Sequence, residues 1–217
     1  MSDTASARQH MIDSQLRPNE MNDETVIQAI TDTRREKFVP KSLGGVAYHD
    51  DVIQVVPGRY MMGPMVFGRL IGAVDVKKTD LVLDIGCATG YSSAVLGRLA
   101  EAVVALEEDE ILAKKATNIL AEEACDNVAV VTGPLTEGLA AQGPYDLIFI
   151  NGMIDYLPQS LINQIAEGGR LICVINDNGI GRATYVTAEN GIVGKRVLFD
   201  ANIPELSSFK KKQKFRF

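Results

Sequence analysis

The chain has 217 residues, of which 46% are hydrophobic and 23% are charged, a composition typical of one globular domain with a substantial core. Its formal net charge of −6 disfavours non-specific nucleic-acid binding, which requires a basic face that neutralises phosphates. We interpret the basic run KKKQKFRF at the C-terminus as a solvated tail or the end of a last strand. No apolar run is long enough to span a bilayer. From the net charge and the short apolar runs together, we expect neither a nucleic-acid nor a membrane partner.

Cysteine usage indicates a reducing, cytoplasmic setting. Cys87, Cys125 and Cys173 are odd in number, widely spaced and without a C-x-x-C pair, which disfavours a disulfide framework. Only His10 and His49 could join them around a metal ion, so we expect no metal site. The first fifteen residues lack the apolar segment of a secretory signal, which agrees with the same compartment.

The N-terminal part of the chain is predicted to be helical. Residues 6–16 and 23–35 are predicted helices, and Asp23 is a suitable cap for the second one. An irregular stretch follows, with a short extended run in DVIQVV. Pro64 is then expected to open a third helix that continues to about Val74.

From residue 80 onward, short apolar strands alternate with helices. The predicted strands are DLVLDIG, AVVALE, NVAVVTG, YDLIFIN and GRLICVIN, and the predicted helices between the first three are SSAVLGRLA and DEILAKKATNILAEEA. This alternation is typical of a parallel sheet covered on both faces. The segment RATYVTAENGIVGKRVLF contains two alternating runs joined through Asn190-Gly191, a strong hairpin signal. We therefore predict an α/β fold with a doubly wound, mostly parallel, seven-stranded sheet, a C-terminal antiparallel hairpin and an N-terminal helical extension.

The first strand-to-helix turn, LDIGCATGYSSA, is the predicted ligand loop, because such sheets bind ligands beyond the carboxyl ends of their strands. Gly86 and Gly90 let the backbone turn tightly and approach a ligand, and the helix after them offers free amides to negative charge. A dinucleotide fingerprint would need G-x-G-x-x-G, whereas Ala88 and Tyr91 replace its second and third glycines. The loop therefore disfavours a nicotinamide cofactor.

Two acidic residues flank this loop in the pattern of a nucleoside site. Asp84 precedes Gly86 and suits a ligand with cationic groups, such as the ammonium and sulfonium of S-adenosylmethionine. Glu107 lies 21 residues beyond Gly86 at the end of the second strand, where its carboxylate can accept both ribose hydroxyls. Cys87 has no histidine near it in sequence and is interpreted as a small loop residue rather than a nucleophile.

A wider set of segments resembles one family of class I S-adenosylmethionine-dependent methyltransferases. RQHMIDSQLRP, REKFVP, AYHDDVIQV, VLDIGCATGYSSAVL, PYDLIFIN and LINQIAEGGRLICVI follow the protein-L-isoaspartate O-methyltransferase family in order, over about residues 8–176. The resemblance implies a repair enzyme that esterifies the carboxylate of L-isoaspartyl residues in damaged proteins and peptides. It implies an N-terminal substrate-side extension over 1–75 and a cofactor-binding domain over 76–217, packed as one unit. The cofactor-binding residues that it implies are Asp84, Gly86, Cys87, Ala88, Gly90, Glu107, Pro134 and Leu135.

The chain departs from the family at the active-site signature. The family's Ser-x-Pro-His, whose serine is treated as the active-site residue, reads Met62-Gly63-Pro64-Met65 here. The resemblance therefore places Met62 at the catalytic position and assigns substrate contacts to Met61, Pro64 and Met65.

Methionine cannot donate a hydrogen bond to a substrate carboxylate, and a buried carboxylate without donors is costly. We therefore take Arg59 and Tyr60 as the donors.

Two further departures lie downstream. The family's Gly-Asp-Gly after the third strand reads Gly133-Pro134-Leu135, so we expect apolar contacts, or a polar group elsewhere in the chain, to hold adenine in place of the acid. Near the C-terminus, NIPEL over residues 202–206 stands where the family has Phe-Val-Pro-Leu.

The sequence leaves three other functions open. A methyltransferase of the same fold with a less polar acceptor is favoured by the lost serine and histidine. A non-catalytic protein that binds S-adenosylmethionine or a protein partner is favoured by the lost aspartate. A nicotinamide-dependent oxidoreductase is the third, and the glycine loop disfavours it.

Overall fold

The computed structural model describes residues 3–211, so most of the C-terminal basic run, residues 212–217, lies outside the described residues. The N-terminal part contains α1 (Asp3–Met11), α2 (Glu24–Asp32) and α3 (Pro64–Gly72), and a small antiparallel hairpin of β1 (Ile53–Val56) and β2 (Arg59–Met61). The Asp23 carboxylate caps α2 by accepting from the amides of Thr25 at 2.8 Å and Val26 at 3.3 Å, as predicted.

The first predicted helix is interrupted. After α1 the chain forms a π-helical turn over Ile12–Leu16, and α2 ends three residues before the predicted boundary at residue 35. The strand β2 was not predicted, because its three residues are too few to show an alternating pattern.

Residues 81–200 form one seven-stranded sheet. Its members are β3 (Leu81–Ile85), β4 (Ala102–Glu107), β5 (Val128–Thr132), β6 (Tyr145–Ile154), β7 (Ile165–Asp177), β8 (Ile180–Glu189) and β9 (Ile192–Asp200). Their order is β5-β4-β3-β6-β7-β8-β9, with parallel pairing from β5 through β7 and antiparallel pairing of β8 and β9. Asn190 and Gly191 both have positive φ, at 52° and 73°, as the predicted β8–β9 turn requires. The doubly wound sheet and its terminal hairpin are confirmed.

The strand order reverses direction between β3 and β6. The chain leaves β3 toward β4 on one side and later places β6 on the other, so the connections diverge beyond the carboxyl ends of β3 and β6. Such a reversal opens the crevice in which this class of sheet binds ligands. The glycine loop, residues 86–90, follows β3 directly and therefore lies at the mouth of this crevice.

The two faces of the sheet are covered differently. One face packs against α4 (Tyr91–Leu99), α5 (Glu110–Glu122) and the N-terminal helices in a single hydrophobic cluster. The other face packs against the short α6 (Gln159–Ile162) and the irregular segments around Leu135, Leu206 and Phe209. The connections between β5 and β7 contain several prolines and glycines, which leaves little chain for a long crossover helix.

Among the described residues, no helix combines the length and the apolar character that crossing a membrane requires.

Candidate functional site

Asp84, at the end of β3, is a fully buried carboxyl that joins three elements. Its Oδ2 accepts from the hydroxyls of Ser92 at 2.7 Å and Ser93 at 2.5 Å, both in the first turn of α4. Its Oδ1 accepts from the side-chain amide of Asn151 on β6. Burial raises the pKa of Asp84 to about 6, an effect that the three hydrogen bonds oppose and the Glu107 charge reinforces.

The backbone of the glycine loop has the left-handed conformation at three positions. Gly86, Ala88 and Gly90 have φ values of 74°, 52° and 93°. Positive φ is unusual for alanine, so Ala88 is held there by its surroundings. Its amide donates to Glu107 Oε2 at 2.9 Å, and the amide of Gly86 donates to the Leu106 carbonyl at 2.8 Å. The loop is thereby fixed against the end of β4.

Every acceptor position of the Glu107 carboxylate is taken by the protein. Oε1 accepts from the amides of Glu108 at 3.0 Å and Asp109 at 3.3 Å. Oε2 accepts from the Ala88 amide and forms a close ion pair with Nη2 of Arg59. Because a carboxylate offers about four lone-pair sites, this buried group is saturated. The sequence predicted Glu107 as the ribose acceptor and Arg59 as a substrate donor, and the structure pairs them with each other.

Arg59 lies over the open side of the glycine loop. Only 8% of the residue is exposed, and its Nε has no hydrogen-bond partner among the described residues. A Cβ placed on Gly86 would lie 3.3 Å from Arg59 Nη2 and 3.4 Å from Leu206 Cδ1. Arg59 and Leu206 therefore fill the space that the glycine leaves free.

Leu206 also covers the neighbouring strand. A Cβ on Gly152, in β6, would lie 2.5 Å from Leu206 Cγ. The Leu206 amide donates to the Met153 carbonyl at 2.8 Å, and the Met153 amide donates to the Pro204 carbonyl at 2.9 Å. These bonds attach the NIPEL segment to the extension of β6. No role for Leu206 was predicted from the sequence, because its place at the loop depends on this long-range pairing.

Two of the three methionines around Pro64, Met61 and Met62, are core residues. Met61 and Met62 are 6% and 5% exposed, and both belong to the hydrophobic cluster that contains Phe67 and Tyr91. Met62 also borders two small cavities, one beside the NIPEL segment and one beside the glycine loop.

The other two residues assigned to the substrate lie at the start of α3, outside the linings of both cavities. Pro64 is the first residue of α3. The amide of Met65 donates to Asp50 Oδ1 at 2.9 Å, so the Asp50 carboxylate caps α3 from another segment.

A buried arginine that sequence reasoning missed holds the backbone at Met62. Arg35 is fully buried, and its guanidinium donates to the carbonyls of Ala47 at 2.6 Å and, more closely, of Met62. It lies 4.8 Å from the ring centroid of Tyr91. Burial lowers the pKa of Arg35. The REKFVP segment thus positions the backbone of Met62.

Two small cavities lie beside Met62 in the described part of the chain, each of about 10 Å³. One is bordered by Tyr60, Asn151 and residues of the NIPEL segment, and the other by Tyr60, Asn151 and the glycine loop. A volume of this size holds about one water molecule, whereas small-molecule sites measure roughly 300–1,000 Å³. Wider surface grooves lie near Phe199 and near Arg98, away from the loop.

The residues at the loop fit a nucleoside in chemistry. The open face of Gly86, the amides at the start of α4 and the Glu107 carboxylate are the groups that such a ligand would contact. The side chains of Arg59 and Leu206 occupy the space, and they are the parts that would have to move.

The predicted adenine contacts, Pro134 and Leu135, lie apart from both small cavities. Pro134 is exposed, and Leu135 is fully buried in the second hydrophobic cluster. Cys87 borders one cavity, but burial raises the pKa of its thiol, which keeps it protonated and a poor nucleophile. Both histidines are exposed, and the described residues contain no group of three or more metal-ligating side chains.

Comparison with known proteins defines the class. The sequence pattern of the protein-L-isoaspartate(D-aspartate) O-methyltransferase family matches residues 6–199. A Koribacter versatilis protein-L-isoaspartate O-methyltransferase is 33% identical over 92% of this chain and 90% of its own length. A Methanoculleus marisnigri protein of the same name is 33% identical over 77% of this chain and 76% of its own length. The chain belongs to the protein-L-isoaspartate O-methyltransferase family.

Solved structures agree on the fold. One protein-L-isoaspartate O-methyltransferase superposes with a TM-score of 0.80 at 23% identity, covering 92% of this chain and 66% of that longer chain. A Plasmodium falciparum protein of that description, crystallised with S-adenosyl-L-homocysteine, superposes with a TM-score of 0.79 at 19% identity. That comparison covers 96% of this chain and all of the other.

Proposed function

We propose that this protein transfers the methyl group of S-adenosylmethionine to the free carboxylate of L-isoaspartyl residues in damaged proteins or peptides. The observation that carries the proposal is family membership, with one third of the residues identical to a named methyltransferase over 92% of the chain. The three free cysteines support a reducing, cytoplasmic setting for this activity.

The chemistry demands little of the protein. S-adenosylmethionine, when bound, supplies a methyl group that its sulfonium has already activated. An isoaspartyl carboxylate is ionised at neutral pH, so the chain needs no general base. Holding the two groups in line is worth up to ~7–11 kcal/mol. The loop at Gly86 and the carboxylate of Glu107 would hold the cofactor.

The acceptor side is formed by the hairpin of β1 and β2 and by the residues that follow it. Met61 and Met62 are buried apolar side chains that exclude water and strengthen electrostatic contacts made beside them. Arg59 and Tyr60 supply the donors that the missing serine and histidine would have supplied. Tyr60 is half-buried and borders both cavities.

The direct test is transfer of radiolabelled methyl from S-adenosylmethionine to an isoaspartyl peptide, with the matching aspartyl peptide as control. We expect label only in the isoaspartyl peptide. Label in neither peptide, in a protein that binds S-adenosylhomocysteine by calorimetry, would reject this acceptor.

A second candidate is a methyltransferase of the same fold with a less polar acceptor. Met62 and Met65 favour it, because neither side chain can donate a hydrogen bond to a carboxylate. The two candidates differ in the peptide assay, since a less polar acceptor would leave both peptides unlabelled.

A further inference from the structure

Arg59 makes an incomplete pair with Glu107. Its contact runs from Nη2 to Oε2 alone, because the backbone amides of Glu108 and Asp109 hold the other carboxylate oxygen. The buried Nε is left without a partner among the described residues. An arginine bonds a carboxylate best through two parallel N–H groups, and a buried unpaired donor is costly. The guanidinium therefore has unused capacity for a second carboxylate.

Glu107 cannot accept a ribose while Arg59 remains bound. All four of its acceptor positions are filled, three of them by backbone amides of the loop and of the start of α5. Releasing the amides would distort the loop, whereas releasing Arg59 moves one side chain. Arg59 is thus the replaceable ligand of Glu107.

Within the described residues, the hairpin that carries Arg59 shares no strand pairing with the main sheet. Strands β1 and β2 pair only with each other in the described structure, and Ile53, Val55 and Met61 anchor the hairpin in the hydrophobic core. Alternation along β2 turns Arg59 and Met61 inward and Tyr60 outward. Because the backbone of the hairpin is anchored, rotation of the Arg59 side chain alone would withdraw the guanidinium from Glu107 while keeping it at the acceptor side.

We propose that Arg59 exchanges carboxylates during the catalytic cycle. In the cofactor-free chain it pairs with Glu107 and closes the glycine loop. When ribose hydroxyls take its place on Glu107, the released guanidinium binds the acceptor carboxylate through Nε and Nη2. Cofactor and acceptor then each strengthen the binding of the other, as linkage requires. The acceptor half of this inference rests on the proposed function.

Calorimetry with S-adenosylhomocysteine on the full chain tests the exchange. Arg59→Met removes the competing guanidinium, so this variant is expected to bind S-adenosylhomocysteine roughly 10- to 100-fold more tightly than wild type, the range of one hydrogen bond to a charged group. Arg69→Met is the matched control, because Arg69 stacks on the Phe199 ring at 3.8 Å and borders neither small cavity. It should bind as wild type does.

The same titrations are repeated with saturating isoaspartyl peptide. The peptide should tighten S-adenosylhomocysteine binding in wild type and leave Arg59→Met unchanged. Equal or weaker cofactor binding by Arg59→Met overturns the exchange, and so does a peptide effect of the same size in both proteins. Should Arg59→Met fail to fold, Arg59→Gln serves in its place. Its gain in affinity for S-adenosylhomocysteine is expected to be smaller, because the glutamine amide can still donate a hydrogen bond to Glu107.

The exchange and the proposed function fail in different experiments. Absence of methyl transfer to the isoaspartyl peptide in wild type rejects the repair reaction, whatever the affinities for S-adenosylhomocysteine. A variant that gains no affinity rejects the exchange, even when wild type methylates the peptide.

Discussion

The side-chain amide of Asn151 donates to the carboxyl of Asp84 across the point where the strand order of the sheet reverses. The same amide donates to the Ser92 hydroxyl at 2.9 Å, so β3, β6 and α4 meet around one buried acid. This cluster lies directly beneath the glycine loop. Its hydrogen bonds tie the ends of β3 and β6 to the first turn of α4, the helix that the loop leads into.

Replacing Asp84 by asparagine should stabilise the protein at neutral pH. The pKa of Asp84 is about 6 in the folded chain against 3.8 when exposed, so the folded state holds the proton more tightly. That preference favours folding below pH 4 and is lost as the pH rises through 6. The full penalty above pH 6 is about 3 kcal/mol, from about 1.4 kcal/mol for each pH unit.

Urea unfolding of wild type and Asp84→Asn at pH 4 and pH 7 measures the difference in their free energies of unfolding. The contributions of the other titrating groups are the same in both proteins and cancel from this difference. We expect Asp84→Asn to match wild type at pH 4 and to exceed it at pH 7. A stability difference that does not change with pH would show that Asp84 titrates normally.

Removing Arg35 should destabilise the fold and loosen the backbone at Met62. Arg35→Ala leaves the buried carbonyls of Ala47 and Met62 without their donor, and each such loss costs about 1–3 kcal/mol. Relief of a buried charge offsets part of this, so we expect a net loss of about 2–4 kcal/mol. Thermal unfolding measures it. An unchanged melting temperature would mean that water replaces the guanidinium at both carbonyls.

Truncating Leu206 should open the glycine loop from the other side. Leu206→Ala removes a 5% exposed side chain from against Gly86 and Gly152, at a stability cost of about 2–4 kcal/mol. We expect tighter binding of S-adenosylhomocysteine but, unlike Arg59→Met, an undiminished effect of the isoaspartyl peptide. Calorimetry with and without peptide separates the two variants, and weaker cofactor binding would assign Leu206 to the cofactor contacts themselves.

Replacing Arg170 by methionine should lower the stability of the fold without changing the affinity of the glycine loop for its ligand. Its guanidinium pairs with the buried Asp80 at 2.5 Å and donates to the Val74 carbonyl at 2.6 Å, near the amino end of β3. Arg170→Met leaves Asp80 buried without its cation, which costs about 3–5 kcal/mol. Affinity for S-adenosylhomocysteine, measured well below the melting temperature, should be unchanged. A large loss of affinity would show that the two ends of the sheet are coupled.

Local patterns in the sequence determined most of the fold. Apolar strands that alternate with helices predicted the parallel sheet, Asn190-Gly191 predicted the terminal hairpin, and Asp23 predicted the cap of α2. Each of these features depends on residues a few positions apart, so its physical cause lies within a short window. The glycine loop and its two acids were found for the same reason.

The tertiary structure alone decided how the site is arranged. Arg59 meets Glu107 across 48 residues and Asn151 meets Asp84 across 67, and Leu206 reaches the loop from near the other end of the chain. No periodicity or spacing marks such pairs, because their partners are set by the strand order and by the path of the hairpin. The sequence by itself therefore determined the glycine loop and its two acids, Asp84 and Glu107, while the fold decided that a buried arginine would hold Glu107.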